Sequence, residues 1–390
     1  MPIFLSNMKL KLKITYGIFV SIVLSISTIS CSPNEVKNNV PVLGNIPDAN
    51  FEQVLINLGF DDVLDGKINT ANVSGVTELF ITDKSILRLS GIEYFISLKD
   101  LYCGYNNLTT LNLSQNKRLE QLSCNNNQLT SLNIENNLSL KKLYCGDNQL
   151  TQLDISKNTK LEIVDCRSNR ITGLNLMSNP LLQELDCSGN NMYSLNLTEN
   201  NELSILFCGY NALTLLDTSQ NPSLKELYCH NNNISSLDFT NNPNLIKLWC
   251  GNNQLNTLNI STNMALTELL CYFNNLTGLD VSNNISLQRL LCQYNPLGSL
   301  NVSKNMVLKE LICINNELNT IDLSNNASLE NFNINYNFLT HLDISNILNL
   351  NRLECTFNNL ICIKVNEAQL ANIPEIWLKD DIASYAIVCD

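Results

Sequence analysis

Histidine is almost missing from this chain: His230 and His341 are the only two in 390 residues. Two isolated imidazoles give no basis for a histidine-built metal site or a Cys/His catalytic pair. Glycine and proline are sparse, and no glycine-rich phosphate loop occurs. Cations are also short, with 24 Lys and Arg against 36 Asp and Glu, for a net charge of −12. Nucleic-acid binding needs a cationic surface that releases counterions, so this balance argues against it. The serines sit mainly at turn positions and no His lies in a repeated or convergent setting, so nothing supports a nucleophilic constellation. The sequence offers neither a catalytic centre nor a cofactor site. What it has in abundance is asparagine, leucine and cysteine at fixed spacing.

Residues 1–30 read as an export signal. Lys9, Lys11 and Lys13 form a positive start, and Ile14 to Ile29 is almost wholly apolar or small. That run is short for a spanning helix and gives way to polar sequence, which favours a cleaved leader over an anchor. Without the three lysines the net charge of −12 becomes −15. The segment ends at Thr28-Ile29-Ser30 followed by Cys31. This resembles the lipobox of bacterial lipoproteins, whose cysteine receives the lipid, and the resemblance implies lipidation at Cys31. Thr28 departs from the aliphatic residue usual there, and Thr28 with Ser30 also fits ordinary cleavage and secretion. Residues 31–45 read as a polar tether.

From Leu101 the chain falls into 21-residue units, beginning at Leu101, Leu122, Leu143, Val164, Leu185, Leu206, Leu227, Leu248, Leu269, Leu290, Leu311, Phe332 and Leu353. The unit is L-x-C-x-x-N-x-L-x-x-L-[DN]-[LIV]-S-x-N-x-x-L-x-x. An earlier, longer unit starts at Leu79, with Ile81 in the cysteine slot and Lys84 where asparagine is expected. The leading leucine and the cysteine two residues later share one side of a short strand. Successive strands pair in parallel about 4.8 Å apart. Leucines at the eighth, eleventh and nineteenth positions, with an aliphatic at the thirteenth, fill the interior behind them. One unit cannot bury its apolar side alone, so stacking creates the core. The sixth-position asparagine, Asn106 to Asn358, offers donor and acceptor to turning backbone. A second asparagine column runs from Asn116 to Asn326 and lapses at Ile347. It predicts a second turn in each unit and a second short strand. Calcium binding by these columns is the alternative, disfavoured because much of the first column is amide rather than carboxylate.

Residues 79–361 therefore form the repeat domain. The pattern resembles the leucine-rich-repeat superfamily, especially short bacterial repeats of the LxxLxCxxNxL type on surface lipoproteins, and the resemblance extends through residue 365. It implies a β-rich solenoid of stacked 21-residue units with a continuous parallel sheet, whose open face generally takes partners. Residues 46–78 resemble the helical N-terminal cap of that family. Asp48 is placed to cap a helix whose Phe51, Val54, Leu55 and Leu58 share one face, and Gly59 ends it. The acidic stretch around Asp61, Asp65 and Gly66 faintly echoes a calcium loop, but Val63 and Asn72 occupy ligand positions, so an acidic turn fits better.

Eleven cysteines recur from Cys103 to Cys313, Ile334 interrupts, and Cys355 resumes the column. In-register side chains point the same way, which keeps neighbouring Cβ atoms near the strand spacing and disfavours disulfides. A linear column also cannot converge on one metal ion. These cysteines read as small buried hydrophobes, kept reduced by burial. Residues 362–390 resemble the cysteine-containing C-terminal cap of the same family. The resemblance implies a Cys362–Cys389 disulfide around a tryptophan-bearing segment, with an amphipathic stretch from Gln369 to Trp377.

Side chains that alternate with the buried leucine and cysteine face outward. In the second slot Phe207, Tyr228, Trp249, Leu270, Leu291 and Ile312 are consecutive, and Tyr210, Tyr272, Phe273 and Tyr294 lie in adjacent columns. An exposed apolar stripe of this kind marks an interaction site; side-by-side stacking for stability is the competing explanation. Three functions remain open. One is a cell-envelope module binding a protein; another is a glycan-binding surface lipoprotein, for which Glu226 and Glu268 beside Tyr228 and Trp249 are suited; the last is a structural envelope protein without a ligand.

The leader gives the first prediction. Metabolic labelling with a fatty-acid analogue should mark the wild-type chain and not Cys31→Ser, which should be released from the membrane fraction. An unlabelled wild type would favour plain secretion.

Overall fold

A computed structural model of the chain describes residues 41–389. The signal segment 1–30, Cys31 and the tether as far as residue 40 lie outside the described residues. The remaining tether residues differ from expectation: Leu43–Asn45 is a strand, pairing antiparallel with Lys67–Asn69. The N-terminal cap thus starts inside the tether assignment, through a contact between segments on either side of the cap helix that local composition does not reveal.

The helix Ala49–Asn57 opens at Asp48, whose Oδ1 accepts from the amides of Asn50 and Phe51. Its other oxygen accepts from Leu87 and Arg88 at 2.7 and 2.9 Å, tying the helix to the first repeat turn. Glu52 is buried, and one carboxylate oxygen accepts from the amides of Asp65, Gly66 and Lys67. The acidic turn is therefore organised by an in-chain carboxylate, which occupies the amide cluster at its neck.

Fourteen parallel strands, from Glu78–Phe80 to Arg352–Glu354, form one sheet. Adjacent repeat strands pair in register one full unit apart, as in Glu226↔Lys247, Leu227↔Leu248 and Tyr228↔Trp249. The first strand residue is half-buried in most units, the leucine inaccessible, and the third variable, which is the alternation that one-sided burial imposes. All twelve cysteines of the column are free and buried. Burial raises their thiol pKa values, to about 12 for Cys124, Cys229 and Cys271, so they remain protonated at neutral pH.

Each turn is tied to the previous one through asparagine and backbone. Asn127 Oδ1 accepts from Leu108 N, and its Nδ2 donates to Cys103 O one turn back and to Cys124 O in its own turn. The second column also reaches back, as when Asn137 Nδ2 donates to Leu113 O and Asn116 O. Asp or Asn four residues earlier accepts from the amide two residues on, closing the second turn. The expected second strand is full only at His341–Asp343 and, one unit on, Cys362–Lys364; elsewhere it is reduced to single bridges such as Asp238↔Asn259 or is not formed.

At the C-terminus His341–Asp343, Cys362–Lys364 and Ser384–Ala386 make a separate three-stranded sheet. The Cys362–Cys389 disulfide is present, with Cα atoms 5.7 Å apart. Asp380 accepts from the amides of Phe357 and Asn358, closing the last repeat with a carboxylate from the cap. The amphipathic stretch contributes a helix only over Glu367–Ala371, with an Asn366/Gln369 capping box.

Most second-column asparagines are fully buried with Oδ1 unpartnered, including Asn305 and Asn326. The exception has a visible cause. Thr218 replaces the aliphatic residue of its turn, and its hydroxyl donates to Asn242 Oδ1 at 2.8 Å. Val302 bears the same relation to Asn326, which donates to Val302 O at 3.0 Å. Val302→Thr should therefore supply a missing donor and match or exceed wild-type stability, by up to about 1 kcal/mol. Val164→Thr, in the buried strand column, should cost about 1–3 kcal/mol. Thermal unfolding of both variants checks this, and equal losses would contradict it.

Candidate partner-binding face

Because the leucine of every strand points inward, the residues on either side of it line the open face of the sheet. Phe207, Tyr228, Trp249, Leu270, Leu291 and Ile312 all stand there in one column. Their accessibility differs from expectation. Tyr228, Leu270 and Leu291 are buried at 8%, 5% and 8% exposure, while Phe207, Trp249 and Ile312 are half-buried. Contacts between the rings account for the burial of Tyr228. The Phe207 and Tyr228 rings stack with centroids 4.4 Å apart, and Trp249 meets Tyr228 edge-on at 4.9 Å. The stripe is a packed layer with its edge showing, rather than six free side chains.

Carboxylates lock that layer. Glu226 accepts from the Tyr228 hydroxyl at 2.6 Å and pairs with Lys247 at 3.1 Å. Glu268 accepts from the Trp249 indole N–H at 3.2 Å. Burial and the Glu226 hydrogen bond hold the Tyr228 hydroxyl well above its ordinary pKa, so it remains a donor. Rings fixed in this way lose little conformational entropy when a partner arrives.

His230 joins the cluster, edge-on to Tyr210 at 5.1 Å and 6.1 Å from Trp249; burial lowers its pKa and keeps it neutral. Tyr272 lies across the backbone of Gly251, where a Cβ would fall 2.7 Å from the ring. Any larger residue at 251 would have to displace the ring.

The exposed aromatics are one column further on, at the fifth position of the unit. Tyr105, Tyr210, Phe273, Tyr294, Tyr336 and Phe357 are 38–60% exposed. All have positive φ, between 49° and 59°. Asn126, Asn231, Asn252 and Gly189 occupy the same position and suit that backbone better. Each aromatic there costs about 1 kcal/mol of backbone strain. Phe273 stacks on Tyr294, and Tyr336 on Phe357, both at 4.2 Å. Tyr336, Phe357 and Tyr105 were not among the sequence candidates. The fifth slot, with its mixture of Asn, Gly, Asp and aromatics, carries the signal that would have found them.

The N-terminal part of the face is acidic. Asp165 and Asp186 are cross-strand neighbours, and Arg167 lies 3.2 and 3.6 Å from them and 3.6 Å from Asp147. Burial, only partly offset by Arg167, raises the Asp165 carboxyl to about 6. Among the described residues no group of three or more His, Cys, Asp and Glu is arranged to hold a metal ion.

The fold and the repeated cysteine column match known proteins. The functional domain of InlJ from Listeria monocytogenes, described as including a cysteine ladder, is 30% identical over 84% of this chain and 77% of its own, with a TM-score of 0.70. The chain belongs to the leucine-rich-repeat family. A family model described as Leucine Rich repeats (2 copies) matches residues 222–263. Internalin InlF from Listeria monocytogenes superposes over 81% of this chain and 97% of its own, with a TM-score of 0.72 at 21% identity. A leucine-rich-repeat protein of Leptospira interrogans does so over 80% and 97%, with a TM-score of 0.60 at 22% identity. At those identities the likeness concerns the fold. A search of curated proteins returns no match. This leucine-rich-repeat chain thus presents, on its open sheet face, a rigid aromatic layer, an exposed aromatic rim and, on the N-terminal side of the layer, an acidic row.

Proposed function

We propose that this leucine-rich-repeat protein is a non-catalytic binding module of the bacterial envelope, holding a protein partner on its open sheet face. The observation carrying the proposal is the locked aromatic layer around Tyr228 and Trp249, with both polar tips committed to Glu226 and Glu268. Large aromatics held rigid and rimmed by charge are the residues from which protein hot spots are built. The family's use of repeat scaffolds as interaction modules supports the same reading. A glycan fits this layer less well. The Tyr228 ring is stacked on Phe207 and met edge-on by Trp249, and Glu226 and Glu268, which a sugar hydroxyl would need as acceptors, already accept from Tyr and Trp. The leader-like residues 1–30 and Cys31 support a lipid anchor that holds the module at a membrane, facing the envelope or cell surface.

The test is quantitative capture on intact cells, followed by affinity measurement with the isolated partner. Tyr228→Ala with Trp249→Ala should weaken binding by about 2 kcal/mol or more per anchor. Ser123→Ala, on the same face outside the layer, should bind as wild type does. Equal affinity for wild type and the double variant, with both folded by circular dichroism, would discard the face. Retention on a glycan array in place of a protein would support the sugar reading instead.

A further inference from the structure

The acidic row on the N-terminal side of the aromatic layer has one more feature, and it concerns Glu184. In the ladder it stands between Ile163 and Ile205, with Asp186 two residues on along its own strand. Every other carboxylate in the strands from Ile163–Asp165 to Glu268–Leu270 has an ion pair or accepts a side-chain hydrogen bond. Among the described residues Glu184 has neither, although it is half-buried and the charges of Asp186 and Glu226 repel it. Its oxygens still reach solvent, so the arrangement leaves an accessible carboxylate whose surroundings favour an approaching cation.

Next to this carboxylate is an aromatic surface. Phe207 is the cross-strand partner of Asp186, and it stacks on Tyr228 on the opposite side. Its other face is turned toward the Asp186 turn. The row already takes one guanidinium, that of Arg167, which reaches Asp147, Asp165 and Asp186. Among the described residues Arg167 is the only cation paired with this row, and no ion pair extends from it to Glu184.

Resting on the reading of this face as a protein-binding surface, we propose that it takes an arginine-bearing segment of the partner, with one guanidinium seated on Glu184 and Asp186 against the free face of Phe207. Charge complementarity selects the occupant: a half-buried carboxylate surplus repels anionic surfaces and rewards a cation. A planar guanidinium serves both surfaces at once, pairing with carboxylate through its edge and with the ring through its plane. A lysine ammonium would satisfy the charge without the stacking. A membrane or nucleic acid is opposed by the chain's net charge of −12.

The probe is an acetylated, amidated tetra-arginine peptide, compared with its tetra-citrulline counterpart, which keeps the shape and loses the charge. Calorimetry on the folded full chain should show tetra-arginine binding about ten-fold more tightly than tetra-citrulline. Glu184→Gln and Phe207→Leu should each weaken tetra-arginine binding about five-fold, and Glu135→Gln, away from the sheet, should leave it unchanged. Thermal melts of all variants establish folding, and Glu184→Gln should melt no lower than wild type. No binding, equal affinity for tetra-citrulline, or equal losses in Glu184→Gln and Glu135→Gln would overturn the seat, the last by showing diffuse attraction only. The broader reading fails separately: if Tyr228→Ala with Trp249→Ala still loses its captured partner while tetra-arginine does not bind, the face binds protein and only the guanidinium seat is wrong.

Discussion

The side-chain amide of the sixth-position asparagine is the interaction on which the molecule depends. Each repeat places only a short strand in the sheet and most of its remaining length in turns, which leaves many backbone groups without a ladder partner. The asparagine meets that need in two turns at once in every unit but one, that of Asn316, whose Nδ2 donates only to Ile314 O in its own turn. Asn253, for example, accepts from Ile234 N and donates to Cys229 O in one turn and to Cys250 O in its own. Aspartate could accept there but not donate. Leucine could do neither, and each buried group left unmade would cost about 1–3 kcal/mol.

Register follows from this linkage, and the surface follows from register. Once each turn is held one full unit from the last, outward side chains fall into straight columns and neighbours in space are fixed by arithmetic. Phe207, Tyr228 and Trp249 become a stacked layer because they hold the same slot in consecutive units. Glu184 lies between two isoleucines for the same reason. The buried cysteines behind the strands fill the space a small apolar body requires, and their protonation is maintained by desolvation.

Much of this was legible in the sequence because the solenoid is nearly one-dimensional. The strand positions, the inward leucine and cysteine, the N-cap at Asp48 and the Cys362–Cys389 closure could be read from period, capping chemistry and family resemblance. What escaped depends on contacts between columns. That Tyr228, Leu270 and Leu291 are buried on an outward face depends on packing among neighbouring columns, as where the Phe207 and Trp249 rings meet Tyr228. The pairing of Leu43–Asn45 with Lys67–Asn69 lies outside the repeat and has no periodic signal. The left-handed fifth position was present in the sequence as a column mixing Asn, Gly and aromatics, and periodic hydrophobicity alone did not expose it.

The central claim is that asparagine bridges between turns hold the face in a single register, and native-state hydrogen exchange of Asn253→Ala tests it most directly. The Ile234 amide, whose acceptor is Asn253 Oδ1 at 3.0 Å, should lose protection together with the strand amides of the turns beginning at Leu227 and Leu248. Turns near Leu122 should keep theirs, because each unit contacts mainly its neighbours. The overall unfolding free energy should fall by about 2–5 kcal/mol, as expected when several buried backbone groups lose their partner. Unchanged protection at Ile234 with unchanged stability would contradict the account, and would mean that strand pairing and leucine packing alone set the register.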